Sequence, residues 1–194
     1  MIVENKIIWI TGASSGIGEE LAKQLAAQGA RLVLSARSEQ KLISLRDALP
    51  GGAERHRVQP LDLAKPEQII ADGPALMREI GDVDVLINNA GVSQRSLFLE
   101  TDIAVYRQLM EVDYLGLVAL TKVVAPSMVE RGAGSIIAIS SVAGKVGTKL
   151  RTGYCGAKFA VAGFMESLRT EISSQGVHCL TVFPGYIQTQ IALP

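Results

Sequence analysis

The sequence has few cysteines and histidines. Its 194 residues include two cysteines and two histidines, without the close spacing of a metal site or a disulfide framework. Cys155 lies in a predicted helix and Cys179 in a predicted strand, while His56 and His178 each stand alone in strand-like surroundings. We therefore expect no metal site, structural rather than catalytic histidines, and a reducing, cytoplasmic setting.

An excess of charge of either sign is also missing. The 19 basic and 19 acidic residues give a formal net charge of +0, so nothing favours a nucleic acid or an anionic membrane as partner. The apolar runs fall short of the ~20 residues that span a bilayer. The chain begins with MIVENKIIWITG, in which Glu4 and Lys6 favour a strand over a secretion signal. We expect no membrane span.

Short apolar runs alternate with longer segments of helical period along the whole chain. This alternation is typical of an α/β fold, a doubly wound, mainly parallel Rossmann-type sheet with the strand order 3-2-1-4-5-6 and helices on both faces. No linker or low-complexity tract interrupts it, so residues 1–194 are predicted to form a single domain. The six predicted strands are 6–11, 31–36, 56–61, 83–88, 135–140 and 177–183.

The segment 101–131 is apolar around much of its predicted helix. A helix that is apolar on all sides needs a second covering surface, which either a deep position in the domain or a partner subunit could supply. We favour a homodimer or homotetramer formed through the helices at 101–131 and 153–174. The apolar residues behind this expectation are Leu115, Leu117, Val118, Leu120, Val123 and Val124.

A glycine-rich loop, TGASSGIG, follows the first predicted strand and leads into a helix. Glycines at such a junction allow a sharp turn, a close approach of backbone N–H groups to a phosphate, and tight packing of helix on strand. We expect a dinucleotide pyrophosphate here. The residues predicted to hold it are Gly12, Ser14, Ser15, Gly16, Ile17 and Gly18.

The second predicted strand is followed by Arg37, and an acidic residue is missing from this position. An acid here would accept hydrogen bonds from a ribose 2′-hydroxyl, whereas an arginine can pair with a 2′-phosphate. Arg37 could also be a solvated surface charge. The position favours NADP(H) over NAD(H).

Tyr154 and Lys158 lie four residues apart in the motif YCGAK, which places both side chains on one face of a predicted helix. A nearby ammonium favours the ionised form of a phenol. The pair alone could be an ordinary surface pair. However, Ser141 and the segment 88–91 follow the fifth and fourth predicted strands, at the sheet edge where α/β folds bind their ligands.

Together these motifs resemble the classical branch of the short-chain dehydrogenase/reductase family, and the resemblance covers the whole chain. Its extended relatives, which include nucleotide-sugar epimerases, usually have a different glycine spacing, so the loop opposes an epimerase. The motifs are TGASSGIG at 11–18, LDL at 61–63, NNAG at 88–91, SS at 140–141, YCGAK at 154–158, and Pro184-Gly185 followed by Thr189.

The resemblance implies roles for several residues of the motifs. Tyr154 would be the general acid and base for a carbonyl oxygen, Ser141 would hydrogen-bond that oxygen, and Lys158 would bind the nicotinamide ribose and promote ionisation of the tyrosine. The other implied cofactor contacts are Asp62 and Leu63 at the adenine, Asn89, Ala90 and Gly91 on the adenosine side, and Pro184, Gly185, Ile187 and Thr189, the last two at the carboxamide.

Two features depart from the family pattern. Asp113 occupies a position where the family usually has an asparagine that anchors a water relay to the lysine, and a carboxylate there has no amide donors and adds a charge near Lys158. The family also continues well past the Pro-Gly motif, so we expect a chain that ends at Pro194 to lack the substrate-covering segment and the last strand.

The sequence therefore predicts an NADP(H)-dependent oxidoreductase that interconverts a carbonyl and an alcohol by hydride transfer and acts on a small molecule. The alternative is a catalytically weak NADP-binding protein that serves as an interaction or sensing module. Asp113 and the early end motivate this alternative.

Overall fold

The computed structural model describes residues 3–188 and contains one six-stranded parallel sheet. Its strand order is β3-β2-β1-β4-β5-β6, which confirms the predicted order. The strands are β1 (Ile7–Thr11), β2 (Arg31–Ser35), β3 (Arg57–Val58), β4 (Val85–Asn88), β5 (Gly134–Ile139) and β6 (Val177–Val182). Each lies within or close to its predicted range.

Helices connect the strands and cover both faces of the sheet. Between α5 and α6 the chain continues through a π-helical turn, Met110–Leu115, so that residues 103–131 form one continuous helix. The helices are α1 (Gly16–Ala27), α2 (Glu39–Ala48), α3 (Gly52–Arg55), α4 (Pro66–Ile80), α5 (Ile103–Leu109), α6 (Gly116–Arg131) and α7 (Thr152–Ile172).

The alternation of side chains along β1 produces two hydrophobic cores. Ile8 and Ile10 belong to the core that includes Ala22 of α1 and Leu42 of α2. Trp9 points to the opposite face and belongs to the core that contains residues of α4, α6 and α7. Its buried indole N–H donates to Ser35 Oγ over 2.8 Å, which satisfies the polar group of the largest core side chain.

Strand β3 is much shorter than the predicted 56–61. The chain still follows β2 beyond Val58, because the Gln59 N–H donates to Leu34 O (2.9 Å) and the Leu61 N–H donates to Ala36 O (3.1 Å). Pro60 lies between these two donors and has no N–H to donate. The regular ladder therefore ends early, as expected for an edge strand that contains proline.

The apolar circumference of α6 is covered mainly by the chain itself, which corrects the premise of the oligomer prediction. Leu117, Leu120 and Val124 are buried in the core that also contains Ile69 of α4. Leu115, at the end of the π-helical turn, is 37% exposed. The oligomer stays a prediction, but this helix no longer argues for it.

The continuous helix 103–131 bears on the expectation of no membrane span, because it is the one candidate span among the described residues. It is long and apolar enough to cross a membrane by length and composition alone. In its most apolar window 44% of the residues are buried inside the protein. Core helices of soluble proteins pass the same test, so this property is weak evidence for a span.

Candidate active site

A cavity of about 700 Å³ lies at the carboxyl edge of the sheet, where the loops after β1, β2 and β4 meet the start of α7. Most of the residues predicted to bind a cofactor line this one cavity. They are Gly12, Ser14, Ser15, Gly16, Ile17, Arg37, Asp62, Leu63, Asn89, Ala90, Gly91, Tyr154 and Lys158.

The glycine loop turns sharply beside the cavity and packs closely against the loop after β4. Gly12 and Gly16 have φ values of +66° and +58°, in the left-handed region that favours glycine. A Cβ atom on Gly12 would lie 2.8 Å from Ala90 Cα. The loop ends at Ser15, the N-cap of α1, so a helix N-terminus borders the cavity in the manner of an anion site.

Gly18 does not line the cavity, although the sequence predicts it as a cofactor contact. A Cβ atom there would lie 2.3 Å from Gly12 O and 2.6 Å from Asn89 Nδ2. Gly18 instead allows α1 to pack directly against the glycine loop and the loop after β4.

Thr11 joins the loops after β1 and β4, a role that the sequence analysis missed. Its Oγ1 accepts from the N–H groups of Asn89 (3.0 Å) and Ala90 (3.1 Å). Asn89 Nδ2 in turn donates to Thr11 O over 3.0 Å. These bonds place Asn89 and Ala90 beside the glycine loop. The threonine directly before the first glycine was the available sequence signal.

Lys158 and Asp113 form a buried ion pair at one end of the cavity. Lys158 Nζ lies 3.2 Å from Asp113 Oδ2, with side-chain exposures of 5% and 0%. Asp113 Oδ1 accepts from the Val92 N–H over 2.7 Å. Asp113 lies within the π-helical turn. Such turns are frequent at functional sites. The predicted carboxylate near Lys158 is therefore present. Lys158 lines the cavity, whereas Asp113 does not.

The environment of Asp113 affects its protonation. Burial raises the pKa of the Asp113 carboxyl above its ordinary value of 3.8, and the opposing effects of the Lys158 charge and the Val92 N–H are smaller. Between the ordinary and the raised pKa, the folded protein keeps a proton that the unfolded chain has lost. Asp113 therefore makes the free energy of unfolding fall as pH rises through that interval.

Asp113→Asn removes this contribution because an amide has no proton to lose in this range. We compare the free energies of unfolding of the parent and of the variant. The difference, parent minus variant, should decrease as the pH rises from about pH 4. The fall should continue until the pH passes the raised pKa of the folded protein. Urea unfolding at several pH values between 4 and 7 measures this difference. A difference that is constant or rises with pH would contradict the assignment.

Tyr154 contributes a half-buried ring to the cavity wall, one helical turn before Lys158. Lys158 Nζ lies 5.6 Å from the centre of this ring. The guanidinium carbon of Arg151 lies 5.5 Å from the same centre. The phenol is therefore flanked by two cations, of which the sequence analysis singled out one.

Ser141 follows β5 but is absent from the lining of the cavity, which Ser140 reaches instead. The Ser141 Oγ accepts from the Ala143 N–H over 3.1 Å. The Ser140 hydroxyl is buried and donates to Lys158 O over 3.3 Å. The loop after β5 is thus tied to α7 beside the catalytic candidates.

The predicted contacts after β6 are not part of the described cavity wall. Pro184 O accepts from the Val142 N–H over 3.0 Å, which places this segment beside the loop after β5. Gly185 and Ile187 do not line the cavity either. Thr189 lies outside the described residues.

The cavity end near β2 carries more positive charge than the sequence analysis predicted. Arg37 and Ser38 line it together with Lys41 of α2. Asp62 Oδ1 accepts from the Ala64 N–H over 3.1 Å. Arg37 precedes α2, so helical spacing could not have identified Lys41 as its neighbour in the cavity.

The comparison with protein families agrees with this geometry. The short chain dehydrogenase family model matches residues 6–193. The chain belongs to the short-chain dehydrogenase family.

Individual relatives are longer than this chain. Dehydrogenase/reductase SDR family member 7 of Mus musculus is 44% identical over 190 residues, which cover 95% of this chain and 56% of the relative. Family member 7B of Mus musculus is 41% identical over 195 residues, which cover 98% of this chain and 60% of the relative. The chain thus spans less than two thirds of the length of these relatives.

Solved structures share the fold over nearly the whole chain. A short-chain dehydrogenase from Streptomyces avermitilis has a TM-score of 0.89 at 34% identity. The match covers 97% of this chain and 68% of the chain of that structure. An SDR protein from Burkholderia phymatum in complex with NAD has a TM-score of 0.91 at 29% identity, with coverage of 99% and 69%. A gluconate 5-dehydrogenase from Burkholderia cenocepacia in complex with NADP and tartrate has a TM-score of 0.90 at 28% identity, with coverage of 97% and 74%.

Proposed function

We propose that this protein is a nicotinamide-dependent oxidoreductase that interconverts a carbonyl and an alcohol and prefers NADP(H). One observation carries the proposal: Tyr154 and Lys158 line the same cavity as the glycine loop at the N-terminus of α1. A proton donor therefore shares one cavity with a phosphate-binding backbone.

The residues of the cavity fit a dinucleotide. The close approach of Gly12 to Ala90 leaves no space for a Cβ atom, as expected where backbone N–H groups must reach a phosphate. Arg37 and Lys41 supply positive charge at one end, and Tyr154 and Lys158 lie at the other. Two of the related structures are described as complexes with NAD and with NADP, which supports a nicotinamide cofactor.

The bound nicotinamide would supply or accept the hydride at the substrate carbon. In the reductive direction, the Tyr154 hydroxyl donates its proton to the carbonyl oxygen, and in the oxidative direction the phenolate removes the proton of the alcohol. The Lys158 ammonium places a positive charge 5.6 Å from the centre of the Tyr154 ring, and it would donate hydrogen bonds to the ribose hydroxyls of a bound cofactor. Ser141 lies beside the cavity rather than in its lining. Its hydroxyl, whose oxygen accepts from the Ala143 N–H, would donate its proton to the same substrate oxygen and hold the carbonyl in position.

The buried carboxylate of Asp113 fixes the position of Lys158. With an oxygen 3.2 Å away, the ammonium cannot swing out of the site without leaving a buried carboxylate unpaired. Asp113 therefore acts as a positioning residue through Lys158.

Arg37→Asp tests the preference for NADP(H). The change removes a cation that can pair with the 2′-phosphate and adds a carboxylate that repels the phosphate and accepts from a ribose hydroxyl. We expect the ratio of kcat/KM for NADPH to kcat/KM for NADH to fall about 10- to 100-fold, the effect of one or two charge-assisted hydrogen bonds.

The control is Arg78→Asp, which makes the same charge change at an exposed position of α4 outside the cavity. It should leave the ratio within about twofold, since exposed charges at a distance are screened by salt. An unchanged ratio in Arg37→Asp, or an equal fall in both variants, would show that Arg37 does not select the cofactor.

The second candidate function is an NADP-binding module with little or no turnover. The buried Lys158–Asp113 ion pair favours it, because a lysine committed to a carboxylate is less available to a ribose and a tyrosine. A fluorescence titration with NADPH, run beside a turnover screen with aldehydes and ketones, separates the two. Tight binding without turnover of any compound would favour the module.

A further inference from the structure

Arg151 lies beside the catalytic tyrosine without a role in the mechanism above. It is the N-cap of α7 and is half-buried, and its guanidinium carbon is 5.5 Å from the centre of the Tyr154 ring. Among residues 3–188 it forms no ion pair, whereas the nearby Lys158 is paired with Asp113. A half-buried guanidinium without a carboxylate therefore lies next to the reacting group.

The local backbone gives no helical reason for an arginine here. N-cap positions favour Ser, Thr, Asp and Asn, which accept from the first N–H groups, and a cation at a helix N-terminus opposes the helix dipole. The preceding residue, Leu150, has a φ of +67°, a left-handed conformation that is unusual for a branched side chain. Two locally unfavourable features side by side suggest a functional constraint.

The surrounding contacts fix Arg151 beside Tyr154, just outside the residues that line the cavity. Its Nη1 donates to Ser93 Oγ, and the Ser96 N–H donates to Leu150 O over 3.1 Å. Both bonds connect the start of α7 to the segment after β4, next to the cavity-lining residue Val92. A guanidinium has five N–H donors, so a single bond to Ser93 leaves most of them for a ligand.

We propose that Arg151 binds an anionic group of the substrate, so that the preferred substrates are carbonyl compounds or alcohols that carry a carboxylate or a phosphate near the reacting carbon. This inference rests on the proposed function of the same site. The planar fork of an arginine matches two anionic oxygens. Its position next to the Tyr154 ring places such a group close to the carbonyl that the tyrosine protonates.

The test compares pairs of related substrates, of which one carries an anionic group and the other is neutral. The pairs are 4-oxopentanoate with its methyl ester, for the carboxylate, and dihydroxyacetone phosphate with dihydroxyacetone, for the phosphate. The parent should have at least a tenfold higher kcat/KM for one of the anions than for its neutral partner. Arg151→Gln should lower that preference about 10- to 100-fold, mainly through the KM of the anion. Arg151→Lys should recover part of it, since it keeps the charge but not the fork.

Lys149→Gln is the control for general electrostatic attraction, because it removes an exposed cation two residues away. It should leave the preference within about twofold. If Arg151 only holds Ser93 in place, Arg151→Gln should lower the turnover of the charged and the neutral substrate equally. Equal loss for both, no anion preference in the parent, or an equal effect of Lys149→Gln would overturn the proposal.

A binding measurement keeps the inference separate from the proposed activity. The thermal midpoint of the NADP⁺-loaded protein should rise with 4-oxopentanoate or dihydroxyacetone phosphate in the parent and stay unchanged in Arg151→Gln. If no carbonyl is turned over but this shift is seen, the proposed function fails while the Arg151 site stands. If neither protein shifts and the parent lacks an anion preference, the Arg151 site is wrong.

Discussion

Tyr154→Phe is expected to remove nearly all carbonyl turnover while NADPH affinity stays within about threefold of the parent value. The substitution deletes the hydroxyl that transfers the proton and keeps the ring that lines the cavity. General acid–base catalysis contributes about 10²- to 10⁴-fold in rate, so kcat should fall by that factor. Steady-state kinetics and a fluorescence titration on the same preparation measure both quantities.

A matched control is available in Tyr106→Phe. Tyr106 lies on α5, outside the cavity lining, and its hydroxyl contacts Oγ1 of Thr152 at the start of α7 over 2.8 Å. This variant therefore also loses a phenolic hydroxyl next to α7. It should keep kcat within about threefold, since the loss of one exposed hydrogen bond costs about 1 kcal/mol or less of stability. A Tyr154→Phe variant that retains more than about one tenth of the parent kcat would show that another group moves the proton.

Gly18→Ala is expected to lower both NADPH affinity and stability, although Gly18 does not itself line the cavity. The new Cβ atom would lie 2.3 Å from Gly12 O and 2.6 Å from Asn89 Nδ2, so the glycine loop or α1 must move. Overpacking of this kind costs about 1–3 kcal/mol. Since Gly12 lines the cavity, we expect at least a tenfold weaker Kd for NADPH and a lower thermal midpoint.

Gly163→Ala is the control for the loss of a helical glycine. Gly163 is exposed on α7, and a Cβ atom there meets no atom within 4 Å. Alanine in a helix is favoured over glycine by about 1 kcal/mol, so this variant should be slightly more stable with the parent Kd. A parent-like Kd in Gly18→Ala would mean that the loop relaxes freely and that the third glycine is not needed for the shape of the site.

Much of the fold follows from local sequence patterns. Six apolar runs alternate with helical segments, and such an alternation has few solutions other than a doubly wound parallel sheet. The bounds are less predictable, since they depend on hydrogen bonds to neighbouring strands. Strand β3 shows this, because Pro60 interrupts its ladder while the chain continues alongside β2.

The burial of α6 shows what periodicity cannot decide. The apolar circumference of this helix predicts that two surfaces must cover it, but the pattern does not tell whether the second surface belongs to the same chain. In the structure α4 packs on α6 and residues of both helices share one core. The covering surface is a tertiary contact between segments distant in sequence.

The site was predictable where motifs have fixed spacing and unpredictable where it depends on tertiary contacts. Tyr154, Lys158 and the glycine loop were predicted from motif spacing together with their places relative to the predicted strands and the family resemblance. The contact of Arg151 with Tyr154 depends on the left-handed Leu150 and on the bonds to the segment after β4, which no local pattern indicates. Thr11 likewise acts through Asn89 and Ala90, which lie far away in the sequence.

The central claim is that this cavity transfers a hydride between a nicotinamide and a carbonyl carbon with Tyr154 as the proton donor. The most direct test incubates the protein, in stoichiometric amount, with NADPH deuterated at C4 on one face or the other and with the matched carbonyl compounds above. Mass spectrometry then locates the label. The account predicts that deuterium reaches the carbinol carbon from only one face of the nicotinamide. In Tyr154→Phe no deuterium should be transferred. A protein that binds NADPH but transfers no label from either face, or that transfers it equally well without the Tyr154 hydroxyl, would contradict the account.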